Sequence, residues 1–139
     1  MLALVASTQI LGATLKSEPV LEPRQIADDA MKYVAADDMK GLFVLIARHM
    51  PLARDELDKL RDSSIEQRKK IPAVIGKSMG FAFINECRIS DFLVRLVYVE
   101  KREKNVLRWQ FIFYRSRNLW TMVNFIWDEN LNSLFAPCS

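Results

Sequence analysis

Few side chains in this 139-residue sequence can carry chemistry, since it holds one histidine, two cysteines and three tyrosines. His49 follows Ile46 by three residues, on or near the apolar stripe of a helix. It can act there as a base or as a ligand anchor. The alternative is a satisfied histidine at a helix C-terminus, where the dipole favours its cation. Glu86 lies in an alternating run beside Asn85. A carboxylate in an apolar cavity next to a hydrogen-bond donor is what general-base isomerisation requires. The plainer reading is an ion pair with Arg88, Arg95 or Arg108 on the sheet face away from the helices. Tyr33, Tyr98 and Tyr114 can supply a phenol donor, or bury the ring and let the hydroxyl reach the rim. Trp109, Phe111 and Phe113 share one side of a strand and can line a pocket for an apolar ligand or fill a core. Asn124, between Met122 and Ile126, needs a partner wherever it is buried. The candidate ligand-binding set is therefore Tyr33, His49, Trp109, Phe111 and Phe113, and no catalytic residue is assigned.

No phosphate loop, Ser-His-Asp text or supported Cys-His pair appears. Cys87 and Cys138 match no zinc spacing, with no CxxC and a single histidine, so neither a metal nor another cofactor is expected. The two cysteines either pair, tying the C-terminal segment to Cys87, or remain buried thiols. Net charge is +3. The basic residues Arg68, Lys69, Lys70, Lys101 and Arg102 are interleaved with Glu66, Glu100 and Glu103, which reads as a solvated face rather than a nucleic-acid surface.

These residues must be positioned by two kinds of element. Pro23 suits the first position of a helix, and Ile26, Ala30, Tyr33 and Val34 recur at helical spacing over 24–36. Asp37 and Asp38 can cap a second helix with the stripe Met39, Leu42, Phe43, Ile46 and Met50, ended by Pro51. A third, more polar helix over about 52–70 carries a narrow stripe of Leu57, Leu60 and Ile65 and lies on the surface. After Pro72–Gly80 the period becomes two, in the runs Phe81–Ile89, Phe92–Arg102, Val106–Arg115 and Leu119–Asp128. Turn residues separate them at Ser90-Asp91, Lys104-Asn105 and Arg117-Asn118. Short turns imply antiparallel neighbours, and helices followed by strands give an α+β fold: N-terminal helices packed on a strongly curved antiparallel sheet of about four strands.

In the third run Leu107, Trp109, Phe111 and Phe113 need the helices as cover. The last run divides by alternation into Leu119, Val123, Phe125 and Trp127 against Trp120, Met122 and Ile126. Both faces of the sheet then ask for burial. One helical layer covers one face, so a homodimer through the outer sheet face is expected.

Half of the residues are apolar and 27% are charged, the mix of an ordinary globular domain. Residues 1–15, MLALVASTQILGATL, carry no charge and resemble the apolar core of a secretory signal, although no basic residue precedes them and no A-x-A site follows. The run is read as a degenerate or truncated leader with a linker to residue 22, the alternative being a short element packed on the domain. It is shorter than the ~20 apolar residues needed to span a bilayer. Residues 23–136 form one domain.

Three helices followed by a long bent sheet resemble the nuclear transport factor two-like superfamily, a cone-shaped, cystatin-like fold. The text WQFIFYRSRNLWTMVNFIWDENLNSLF is similar to the ending of its small bacterial exported members. The shared features are Trp109, Phe113 and Tyr114 in an aromatic strand, Trp120 leading the next, Asp128, and Leu134-Phe135 in a short tail. The resemblance implies a cone cavity and raises the expectation of a periplasmic or secreted protein. It implies no single chemistry, because that superfamily holds isomerases, dehydratases, ligand binders and association domains. The leading reading is a non-enzymatic dimeric module binding a small apolar ligand or a protein partner, without nucleic acid. The alternatives are a small isomerase or dehydratase with a general base in the cone, and an intracellular association domain.

Overall fold

The computed structural model describes residues 20–138. Residues 1–19 of the expected leader and linker (1–22) lie outside them. Pro23 opens α1 (Pro23–Ala35), where Glu22 and Gln25 form a reciprocal capping box. This satisfies two backbone donors that the first turn leaves free. Asp38 caps α2 (Met39–His49) by accepting from the Gly41 amide at 2.9 Å. The whole stripe Met39, Leu42, Phe43, Ile46 and Met50 is buried. A longer, polar helix α3 (Arg54–Arg68) buries Leu57 and leaves Leu60 exposed. The short α4 (Ile71–Ile75) then leads to the sheet.

Four strands follow: β1 (Ser78–Ile89), β2 (Leu93–Arg102), β3 (Val106–Ser116) and β4 (Leu119–Asp128). They pair consecutively and antiparallel in the order β1-β2-β3-β4. The β3–β4 turn places both Arg117 and Asn118 at positive φ, 52° and 66°, the left-handed pair that a two-residue hairpin needs to match strand twist. α1 packs on β1 and β2, and α2 on α1, α3 and β4. The core between the layers contains Ile26, Met31, Leu42, Ile46, Leu96, Tyr98, Trp109, Phe111, Phe113 and Met122. The fold is α+β, as the change of period requires.

The pairing corrects the division of β4 into faces. Asn124 pairs with Ile112 and Met122 with Phe113, so Val123 is an extra residue. An added residue in one strand shifts the alternation beyond it by one place. Trp120 and Met122 therefore share the helix-side face with Phe125 and Trp127, and are 4% and 0% exposed. Asn124 falls on the exposed outer side and needs no buried partner. A second shift lies between Phe83 and Asn85 in β1. The outer face is thus less apolar than strict alternation suggests.

Candidate functional site

The five candidate ligand-binding residues do not converge. Trp109, Phe111 and Phe113 are at most 1% exposed and belong to the core. Tyr33 is exposed, and its ring lies against Gly41 of α2, where an added Cβ would come within 2.5 Å of it. His49 is the last residue of α2 and half-buried. Burial and, after it, the neighbouring Arg48 hold its imidazole below the usual pKa, so the neutral form is favoured. The three grooves described below contain none of the five.

Other candidates are tied up in pairs. Glu86 accepts from Arg88 at 3.0 Å, as one reading expected. Its register opposite Leu96, however, puts it on the helix-side row, beyond the shift in β1. The Tyr98 hydroxyl donates to Asp28 at 2.5 Å. Burial and this hydrogen bond raise its pKa far above the usual phenol range, so it stays a protonated donor. Asp28 also accepts from Arg24 at 2.9 Å, and that guanidinium stacks on Phe83, 3.5 Å from the ring centroid.

The reading of Arg68, Glu100 and Arg102 as a solvated face is overturned. All three are buried, Glu100 completely. Arg68 donates to both carboxylate oxygens of Glu100, at 2.9 and 2.7 Å, and to Asp37 at 2.9 Å. Arg102 donates to Glu100 at 2.6 Å, to both oxygens of Asp37, and to the Gly76 carbonyl at 2.8 Å. Trp109 Nε1 donates to Glu100 at 2.9 Å. Two guanidiniums thus face two carboxylates, and the charge balances. Burial pushes the Asp37 carboxyl up, but hydrogen bonds from Arg102 and Arg68 outweigh this and hold it below the ordinary carboxylate range. The signal was present in the sequence. Glu100 and Arg102 continue the inward series Val94, Leu96, Tyr98, and Arg68 follows Leu57 and Ile65 at helical spacing. Local charge alternation hid both periodicities.

Concave surface is found on the helical side. A groove of about 930 Å³ runs between α2 and α3. Phe43, Val44, Ala47, Leu52 and Ile65 contribute its apolar lining, with Val44 57% and Leu52 40% exposed. Lys40, Arg48 and Arg54 stand on its rim and form no ion pair among the described residues, whereas Arg61 pairs with Asp58 and Asp62. A groove of about 350 Å³ opens beside Asp37 and Arg68, and one of about 300 Å³ beside Leu52, Met122 and Phe125. The 350 Å³ groove carries Asp38, whose carboxylate accepts from the Gly41 amide and forms no ion pair among the described residues, and Lys40, which likewise forms none. Among the described residues no cluster of three or more His, Cys, Asp or Glu could hold a metal, and no helix is long and apolar enough to cross a membrane. No family model, curated protein or solved structure matches the chain.

Proposed function

We propose that this chain is a non-enzymatic association module of the nuclear transport factor two-like type, whose working surface is the groove between α2 and α3. The observation that carries the reading is the pairing, on that groove, of exposed apolar side chains with three cations that form no ion pair among the described residues. Inside the sheet's curvature the space is taken by Trp109, Phe111, Phe113 and the charge-balanced arginine–carboxylate cluster. A partner therefore meets the helices from outside. Apolar lining with a basic rim suits an amphipathic helix bearing acidic flanks, a recurring mode of peptide recognition. The Cys87–Cys138 disulfide supports a periplasmic or secreted location, where such bonds persist.

The test uses two labelled amphipathic helical peptides with the same leucine stripe, one flanked by glutamate and one by lysine. The glutamate peptide is expected to bind, with affinity falling as salt rises and at least tenfold weaker binding for the Val44→Asp/Lys40→Glu variant. Equal binding of both peptides, or of neither, overturns the acidic-partner reading. Binding of a small apolar dye at Val44 and Leu52 without either peptide would favour the small-ligand alternative.

A second copy is part of the proposal. Ile89, Tyr114 and Leu119 are 61%, 43% and 61% exposed, with Ile89, Leu93 and Tyr114 sharing one outward row across β1, β2 and β3. A self-complementary patch of this kind suits a two-fold dimer. Sedimentation velocity is expected to show a dimer at micromolar concentration that Leu119→Glu converts to monomer. A wild-type monomer at high micromolar concentration excludes it.

A further inference from the structure

We infer that the Cys87–Cys138 disulfide is a redox-operated latch that holds residues 129–138 over the outer face of the sheet. β4 ends at Asp128 on one edge of the sheet, while Cys87 lies in β1 at the other. Cys87 pairs with Arg95, in the row that continues to Ile112 and Asn124, which is the outer face. With Cα atoms 5.6 Å apart across the disulfide, the segment must travel from one edge to the other on the side away from α1 and α2.

Burial marks the route. Val97 and Val99 point outward, yet are only 5% and 8% exposed. Leu131 and Leu134 of the segment are half-buried. The segment's own hydrogen bonds are local: Asn130 to Asp128, Ser133 to Asn130, Leu134 to Leu131 and Ala136 to Ser133. Apart from a 3.6 Å contact between Cys138 Sγ and the Glu86 carbonyl, no described hydrogen bond ties it to β1, β2 or β3. Among the described residues Asn85 Oδ1 and Arg95 Nε, both in outward rows, are buried without a partner, although Arg95 Nη2 donates to Cys87 Sγ at 3.3 Å, and unpaired buried atoms favour re-exposure to water. Apolar burial and the covalent bond hold the cover, and of the two only the covalent bond can be cut by a reductant.

The opening step balances with a dithiol reductant. One of its thiolates attacks the exposed Cys138 sulfur, and Cys87 leaves as a thiolate. The second thiol of the reductant then resolves the mixed disulfide. Two electrons and two protons pass to the protein, and the reductant departs as a disulfide. Residues 129–138 are freed, and Val97, Val99, Asn85 and Arg95 meet solvent.

Hydrogen exchange on the full chain, with and without dithiothreitol, tests the latch. Reduction is expected to speed exchange in residues 129–138 at least tenfold while α1 and β3 keep their rates, as local opening requires. Cys138→Ser should show the fast rates in both conditions. The latch is overturned by unchanged exchange in the segment after reduction, or by an equal rise in α1 and β3, which would make the bond a plain structural crosslink. Free thiols in the protein purified without reductant would also overturn it. Reduction of folded wild-type protein keeps the test decisive where the serine variant fails to fold. The latch stands apart from the α2–α3 groove, so either can fail alone.

Discussion

Glu100→Ala is expected to destabilise the protein by about 3–5 kcal/mol, the range for removing one member of a buried ion pair. The effect comes from what is left behind. Arg68 and Arg102 would remain buried with one half-exposed carboxylate between them, and Trp109 Nε1 would lose its acceptor. For a domain of this size that corresponds to a fall in Tm of roughly 10–20 °C. Asp37→Asn should lose less, about 1 kcal/mol, because that side chain is 46% exposed and water can replace it. Thermal unfolding of the two variants checks the ranking. Equal, small losses would mean that the cluster is solvated.

Trp109→Ala is expected to lose about 3–5 kcal/mol through the cavity it opens. The ring is 1% exposed and stacks between Phe111 and Trp127, with centroids 6.1 Å away on each side at 22°. Arg68 lies over both indoles, 5.8 and 5.7 Å from the ring centroids. Trp109→Phe keeps apolar volume but removes the donor to Glu100, and should lose about 1–3 kcal/mol as the buried acceptor loses a partner. Urea unfolding measures both. A side chain lining an open ligand pocket would tolerate the change to phenylalanine with little loss, so the pair separates packing from binding at this position. A cycle combining Trp109→Phe with Glu100→Ala should show coupling of about 0.5–3 kcal/mol, because the two groups share one hydrogen bond.

Most elements were legible in the sequence because their signals are local, whereas α4 and the first three residues of β1 fell at the change of period around Pro72–Gly80 and were not read. Pro23 and Asp38 mark helix starts, Pro51 marks a stop, and the stripe from Met39 to Met50 has the period of a helix. Arg117-Asn118 marks a hairpin whose strands begin and end within a residue of the alternating runs. The candidate site was less legible. Trp109, Phe111 and Phe113 were placed on the correct face, but whether that face encloses a cavity or a core depends on how closely α1 and α2 approach it. The groove between α2 and α3 is lined by exposed residues, Val44 on α2 and Leu52 in the loop before α3, that carry no periodic signal of their own.

By itself, the sequence determined the order of helices and strands, the strand pairing and which stripe of α2 is buried, since propensity, capping and periodicity act over a few residues. The tertiary structure alone decided three things. It put Trp120 and Met122 on the same face as Phe125 and Trp127, which alternation had separated, because Val123 enters as an unpaired residue and a period of two has no memory across such a shift. It drew Arg68, Glu100, Arg102 and Asp37 into one neutral cluster from positions as much as 65 residues apart, since burial of charge depends on the partner in space and not on the neighbour in sequence. And it brought Cys138 across the sheet to Cys87, a closure over 51 residues that spacing cannot specify because loop-closure entropy varies only slowly with length.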